Sequence, residues 1–552
     1  MARKRRQRSR VLILKDVRTL ETMRRKRQAR RGLYLFFLLI FAGFAVFSFT
    51  RLAGYESSIT RSTFTIQGTY PVPVLEMRPA SGETSLVAIV AHGFTGSKEL
   101  MTSFGVELAR AGVTAYLFDF PGHGESSVAV PANSYNSSND QLNLTALGEV
   151  IDYARSHNHA SGAPRIILLG HSMGAAAVGE YAVAHPDPAL VATILVSPVG
   201  QENPGPTIPR NLLILAGQDD LPAVLQDSAR LQALGCGVSQ PPPSQCGDPA
   251  QGTGRRFVVL PGLNHITILT AGPTFQAMLN WLHAIAPQQV NTGTMDFDQR
   301  LLWLLLAAAG ILLASFPLTA ILIDMFDVNG TPNSVSGQNV LFFYLCAIVG
   351  IAAAVAIQYY WQPFGFLHIL LADYVGGYFF LSALAMAILI FAVRRALPLP
   401  AFRQVGRQLV VALLLVLILY FTLGQLSTFA WQRFTLTPQR LLRVPLFFVL
   451  TWPLFLLDEG ISRGYQEKGM LRAIVASAFF KLLLLAGLVA SVLFIPGLGF
   501  LSILLPIQVL LFIFLVALCT QIYGSGRAAL TGATFSALLL AWILSTSFPL
   551  TS

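Results

Sequence analysis

The segment of this 552-residue sequence best suited to covalent chemistry is Gly170-His171-Ser172-Met173-Gly174, a serine held between glycines. It follows the apolar run Arg165–Leu169 and opens an alanine-rich helical stretch, the context of a nucleophile elbow. Gly170 and Gly174 leave room for a tight strand-to-helix turn, and the helix starting at Met173 aims backbone N–H groups and its positive dipole end at the reacting atom. A serine hydroxyl needs a general base, and the base needs an orienting acid. Both are expected at later strand ends, in the order Ser, Asp, His. Gly217-Gln218-Asp219-Asp220 follows the run Leu212–Ala216, and Pro261-Gly262-Leu263-Asn264-His265 follows Arg256–Leu260. His265 is then the base, and Asp219 and Asp220 both reach the loop an acid should occupy. Ala91-His92-Gly93-Phe94 closes another apolar strand. Phe94 N–H, paired with Met173 N–H, is the expected oxyanion hole for a tetrahedral acyl intermediate.

Short β-rich runs alternate with helical stretches from Ser57 to about Pro287. Strands are expected at Phe64–Gly68, Val74–Arg78, Leu86–Ala91, Val113–Phe118, Arg165–Leu169, Ala192–Val196, Leu212–Leu215 and Arg256–Leu260. Helices are expected at Lys98–Ala111, Leu144–Ser156, Met173–Ala184, Ala223–Leu234 and Thr274–Ile285. Such alternation implies a doubly wound, mostly parallel sheet with helices on both faces. Each candidate residue then follows a strand at the same edge of the sheet. No His, Cys or carboxylate cluster has metal-ligand spacing, and no glycine-rich phosphate loop occurs, so neither metal nor cofactor is expected.

Residues 57–287 resemble the α/β-hydrolase superfamily. Phe118-Asp119-Phe120-Pro121-Gly122-His123-Gly124-Glu125-Ser126 is similar to its D-x-P-G-H-G-x-S stretch, and His92-Gly93-Phe94-Thr95-Gly96-Ser97-Lys98 is similar to openings in esterase-like members. The resemblance of Gly217–Asp220 to the family's G-x-x-D favours Asp220 over Asp219 as the acid. Ala175 departs from the second glycine that many relatives carry and is small enough to leave the elbow intact. The resemblance implies an esterase- or lipase-like serine hydrolase acting on an ester-like or lipid substrate. Many relatives insert a helical cap between the strand after the elbow and the strand bearing the acid. Only the proline-rich Ser197–Arg210 fills that gap here, which implies no large cap and an open site.

The whole chain is 54% hydrophobic and only 12% charged, about half the charge of a soluble globule, which points to membrane spans. Its net charge of +11 looks like a nucleic-acid signal, but fourteen Lys and Arg against Asp16 and Glu21 fall within residues 1–31. Everything after that arm is near neutral, so no nucleic-acid partner is expected. The apolar run Leu33–Phe49 follows the arm at once, and Thr50-Arg51-Leu52-Ala53 is a poor cleavage site. This pattern fits a basic cytoplasmic arm (1–31) and an uncleaved signal anchor (32–50) in a bilayer. Residues 299–552 form a polytopic all-α region of about eight helices, with spans near 301–323, 340–360, 366–393, 408–430, 444–458, 473–495, 499–520 and 528–548. The span 444–458 is short enough to be re-entrant.

Strict alternation from a cytoplasmic amino terminus places the hydrolase-like domain outside the cytoplasm. It also places Arg394, Arg395, Arg403, Arg407, Arg463, Lys468 and Arg472 in cytoplasmic loops, as the positive-inside rule requires. The loop 431–443, with Arg433, Arg440 and Arg443, lands on the wrong side. Cys236 and Cys246 flank a proline-rich loop of suitable length for a disulfide, which fits an oxidising compartment. That loop either borders the site or is a stapled surface excursion. His368, Asp373 and Lys481 are the ionisable residues near spans with the best claim to a role, while Asp458 and Glu459 read as snorkelling span ends. Three functions compete: acyl hydrolysis, acyl transfer or peptide cleavage by the same residues, and a non-enzymatic transporter or scaffold with a hydrolase-like binding domain.

Overall fold

The computed structural model describes residues 2–81, 85–131, 141–157, 162–200, 202–292, 297–331, 340–429 and 432–552. Uniformly apolar runs such as LVAIVA, LVATILV and LLILAG suit strands covered on both faces, and they are buried throughout. The strands are β1 (Ile59–Gln67), β2 (Pro71–Pro79), β3 (Leu86–Ala91), β4 (Thr114–Phe118), β5 (Arg165–His171), β6 (Leu190–Val196), β7 (Leu212–Gly217), β8 (Ser244–Cys246) and β9 (Arg255–Leu260). They form one sheet in the order β1-β2-β4-β3-β5-β6-β7-β9-β8. From β4 to β9 the neighbours are parallel, and β1, β2 and β8 attach antiparallel at the margins.

The helices of this domain are α2 (Thr102–Arg110), α3 (Gln141–Ser156), α4 (Met173–Ala184), α5 (Pro222–Cys236) and α6 (Gly272–Ile285), preceded by α1 (Ala2–Tyr55). The period-two alternation of a strand sorts its side chains between two layers. Ile167 and Leu169 pack with Phe104 and Trp281 on the α2/α6 face, while Ile166 and Leu168 pack with Leu147, Val178 and Leu231 on the α3/α4/α5 face. The register pairs Ala91 with Gly170, His171 with Val196 and Gly217 with Leu260. The loops after β3, β5, β6, β7 and β9 therefore emerge together at one edge. The edge strand β8 lies in the stretch read from sequence as a proline-rich loop. Cys246 at its end forms a disulfide with Cys236 at the end of α5, with Cα atoms 6.0 Å apart.

The helical region comprises α7 (Phe297–Met325), α8 (Val340–Tyr360), α9 (Ala372–Ala392), α10 (Val405–Leu426), the short α11 (Pro438–Leu441), α12 (Val444–Gln466), α13 (Met470–Phe494), α14 (Leu501–Gly526) and α15 (Ala529–Ser547). Among the described residues, nine helices are long and apolar enough to cross a membrane, the first being Arg27–Tyr55 within α1. That first helix continues through the basic arm instead of starting after it. It packs antiparallel to α7 and is clamped at both ends, by Arg27 and Arg31 on Asp324 and by Arg300 on Glu56 at 2.9 Å.

The short span read at 444–458 is part of a longer continuous helix, Val444–Gln466. The helix runs on to Gln466 because its charges find partners inside the bundle: Asp458 with Lys481 of α13 at 2.6 Å, and Glu459 with Arg463 at 3.0 Å. Asp458, Glu459, Arg463 and Lys481 are all buried, so the snorkelling reading is corrected. Arg463 also leaves the loop in which sequence had counted it.

The helical region sits on the edge of the sheet where the β3, β5, β7 and β9 loops emerge. Residues 427–429, 432–443, 495–500 and 548–552 reach that edge. Leu550 N–H donates to Gly122 C=O at 2.8 Å, Val130 N–H donates to Leu550 C=O at 3.0 Å, and Thr102 Oγ1 donates to Phe429 C=O at 2.7 Å. Arg433 pairs with Glu99 at 3.1 Å and Glu125 at 2.9 Å. Arg440, fully buried, donates to the carbonyls of Gly122 and Gly124 on one side and of Ser545 and Phe548 on the other. Arg443 donates to Leu367 C=O at 3.0 Å. The basic loop that broke the positive-inside pattern thus has a structural use for each of its arginines.

Candidate active site

The turn between β5 and α4 puts Ser172 at φ 53°, ψ −117°, a conformation that a non-glycine residue holds only when its surroundings force it. The forcing contacts are its glycines. A Cβ on Gly170 would lie 2.2 Å from Gly174 O, and one on Gly174 would lie 2.5 Å from Ala91 O. Close approach of β3, β5 and α4 therefore requires both glycines, and the serine between them is pushed up out of the sheet edge.

His265 Nε2 lies 3.0 Å from Ser172 Oγ, and His265 Nδ1 lies 2.8 Å from Asp220 Oδ1. The loops bearing Asp220 and His265 are fitted to one another: Asp219 N–H donates to Leu263 C=O at 2.9 Å, and a Cβ on Gly217 would sit 2.2 Å from the same oxygen. Asp219 itself points to solvent, while Asp220 is buried. Burial alone would raise the Asp220 carboxyl. Hydrogen bonds from His265, from Ser197 Oγ at 2.5 Å and from Leu221 N–H at 2.7 Å outweigh it and hold the group below the usual carboxylate range.

The β3 loop is equally constrained. A Cβ on Gly93 would meet His171 Nδ1 at 2.7 Å and Ser172 Cβ at 3.2 Å. His92 Nε2 accepts from Phe120 N–H at 3.1 Å, so its proton is on Nδ1, which donates to Gly93 C=O at 2.8 Å. Gly96 N–H donates to the same oxygen at 2.9 Å. Because a trans peptide points its C=O and N–H in opposite directions, fixing Gly93 O also fixes the direction of Phe94 N–H. Burial pushes His92 down to about 4 and His171 and His123 down to about 3, so all three are neutral fixtures. His171 donates from Nε2 to His265 C=O at 3.0 Å and so helps seat the loop that bears His265. Below this layer Lys98 is buried against Asp119 at 2.6 Å and Glu125 at 2.7 Å. Burial would lower its ammonium, but Asp119, Glu99 and Glu125 prevail and raise it.

The structure brings together Ser172, His265, Asp220, His92, Gly93, Phe94 and Met173. Sequence reasoning missed Ser197 and His171: the first precedes no recognisable motif, and the second hides in the variable position of the elbow. It missed Gln432 too, which reaches from the helical region to donate to Thr95 C=O at 3.1 Å.

The expected open site is also corrected. The described part of Ser197–Arg210 contains no helix, yet Ser172 is 9% exposed and His265 6%. The cover comes from far along the chain. Ser172 and His265 open into a cavity of about 400 Å³ walled by residues of α7, α9, α10, α13, α14 and α15, and Phe94 packs on Phe500 with ring centroids 5.1 Å apart. The Cys236–Cys246 loop does not line this cavity and acts as a staple. Nor do His368, Asp373 and Lys481 line it. His368 is exposed, Asp373 accepts from Tyr374 N–H at 2.6 Å, and Lys481 is taken up by Asp458 and by Ser477 at 2.8 Å. The described residues contain no cluster that could hold a metal ion.

Sheet, helices and elbow together are an α/β-hydrolase fold, joined to an all-helical region of candidate membrane spans. Residues 82–220 match the family model for serine aminopeptidase, S33. Among solved structures, an alpha-beta serine hydrolase homologue from Coxiella burnetii is 19% identical, with 41% of this chain and 97% of that chain covered and a TM-score of 0.29. An esterase from Pyrococcus furiosus is 15% identical over 41% of this chain and 92% of its own, with a TM-score of 0.30. A cold-adapted esterase from an Arctic intertidal metagenomic library is 19% identical over 42% and 95%, with a TM-score of 0.30. No curated protein matches the chain.

Proposed function

We propose that this protein is a membrane-embedded serine hydrolase that cleaves an ester-like acyl bond. The observation that carries the reading is the unbroken relay from Ser172 Oγ through His265 to Asp220, at 3.0 and 2.8 Å. In this mechanism Ser172 Oγ attacks the carbonyl carbon while His265 Nε2 takes its proton. The oxyanion forms against the Phe94 and Met173 N–H groups. Collapse breaks the bond to the leaving oxygen, which receives the proton from Nε2. Water then repeats the sequence on the acyl-enzyme, releasing the acid and restoring the serine. Asp220, kept ionised, holds the imidazole in the tautomer that can accept at Nε2.

Peptide cleavage at a free amino terminus is the reading the family description suggests. Against it, no carboxylate is found among the described residues lining the cavity, so a substrate ammonium would have no counter-charge. In the proposed orientation the hydrolase domain lies outside the cytoplasm. Supporting this, Arg394, Arg395, Arg403, Arg407, Lys468 and Arg472 fall at the end of the bundle away from the hydrolase domain, where Arg407 donates to Asp327 C=O at 3.2 Å. Turnover of p-nitrophenyl acetate and fluorophosphonate labelling test the chemistry. Wild type reacts in both and Ser172→Ala in neither; equal signals from the two proteins reject the assignment.

A further inference from the structure

The cavity that begins at Ser172 does not end in the hydrolase domain. Ser172, His265 and the Gly93–Phe94 peptide form a polar patch at one end, and Gln508 is the one polar side chain that α14 adds to the lining. Beyond them the wall is almost wholly aliphatic and aromatic, including Val375 and Phe379 of α9, Leu423 of α10, Leu488 of α13 and Leu504 and Leu511 of α14. From Phe500, the N-cap of α14, the lining positions Leu504, Ile507, Leu511 and Phe514 follow at intervals of three or four residues, one face of a helix. From Phe500 to Phe514 that face is about 21 Å long at 1.5 Å per residue. A bilayer's hydrocarbon core of about 30 Å gives each leaflet roughly 15 Å of chain length. The wall is therefore deep enough for a chain that fills one leaflet. Ile507 and Leu510 line the cavity and are 38% and 67% exposed, so the side formed by α14 opens to the surface that candidate spans present to lipid.

From this geometry we infer that the helical region is the substrate-binding chamber of the hydrolase, and that its occupant is the long acyl chain of a bilayer lipid whose ester carbonyl rests at Ser172. The inference rests on the serine-hydrolase reading above. A compact, water-soluble ester would leave this chamber empty and draw nothing from it, whereas a long chain buries its length against the wall. The lipid reaches the site laterally past Ile507 and Leu510, without leaving the membrane. The missing helical cap of the α/β domain is thus replaced by the transmembrane bundle, and chain-length selection resides in residues that belong to no catalytic motif.

The test uses the full-length protein in mixed micelles. In wild type, hexadecyl fluorophosphonate labels Ser172 at least tenfold faster than ethyl fluorophosphonate at equal concentration, and p-nitrophenyl esters show the same preference for long acyl chains. Leu504→Trp and Leu423→Trp, which fill the chamber, lower the ratio of hexadecanoate to acetate turnover at least tenfold. Leu493→Trp, on the lipid face of α13, leaves that ratio as in wild type. Labelling with no chain-length preference in wild type overturns the chamber and leaves the nucleophile standing. No labelling by either probe overturns the serine reading and the chamber with it. A ratio unmoved in both Trp variants that still label also overturns the chamber. The wild-type comparison decides alone if the variants do not fold.

Discussion

Asp219 and Asp220 are neighbours in the chain and opposites in surroundings. Asp219 faces solvent, and Asp220 is buried and takes hydrogen bonds from His265, Ser197 and the Leu221 amide. Asp220→Asn can no longer fix the imidazole tautomer, and kcat/KM for p-nitrophenyl acetate falls by about 10⁴-fold. Asp219→Asn stays within about twofold, since an exposed charge with no catalytic partner does little. Comparable losses in both variants would remove Asp220 from the role given to it. Gly93 is the second residue on which the site turns. Its added Cβ would meet the His171 ring and Ser172 Cβ, so Gly93→Ala must move either the serine or the peptide bearing Phe94 N–H. Displacing one oxyanion donor costs about 10²-fold in turnover. Steady-state kinetics beside an unchanged thermal midpoint would separate this from misfolding. Both residues could be picked out in the sequence because their constraints are local: a glycine forced by a turn and an acid at a strand end leave a mark within a few positions. Ser197 leaves none, because its use depends on β6 and β7 lying side by side.

At the scale of elements, strands buried on both faces betray themselves as continuous apolar runs, and β3 was readable to the residue. Helix lengths in the membrane region were less so where charge interrupted hydropathy. Asp458 and Glu459 end the apolar run of α12 but not the helix, because Lys481 lies on a different helix that hydropathy does not pair with it. The covering of the site was not readable at all: Leu504 and Leu511 look like any other lipid-facing residues until α14 is placed over the sheet edge. That placement depends on buried polar contacts. Arg440 satisfies main-chain carbonyls from both regions at once, and removing it strands several of them without donors, each costing about 1–3 kcal/mol. Arg433 is one-quarter exposed, and its ion pairs are correspondingly weaker. Arg440→Ala therefore lowers the thermal midpoint in detergent by several degrees more than Arg433→Ala. The reverse ranking would mean that the charge pairs, not the carbonyl contacts, hold the two regions together.

For the whole molecule, three neutral histidines packed under the site make stability depend on pH. His92 sits at about 4 and His123 and His171 at about 3, against 6.5 for the free side chain. Because the folded values are depressed, the unfolded chain binds these protons first. Stability is complete above pH 6.5 and falls as the pH drops towards the native values. At pH 5 the loss is about 2 kcal/mol for each histidine. The thermal midpoint of the hydrolase domain should fall steadily from pH 7 to pH 5; a midpoint flat across that range would mean that these rings are protonated in the fold. Sidedness is the larger question at this scale. The hydrolase domain, its disulfide and the segments that dock on it gather at one end of the bundle, and Arg394, Arg395, Arg403 and Arg407 gather at the other. Basic segments resist translocation, which supports the proposed orientation with the arginine end cytoplasmic. Cys346 and Cys519 are buried and do not compete for reagent, so single cysteines at exposed Gln226 and Arg403 can report on each side. A membrane-impermeant maleimide should modify Gln226→Cys in intact cells and Arg403→Cys only after lysis. The opposite pattern would put the serine inside the cell, with its lipid drawn from the inner leaflet.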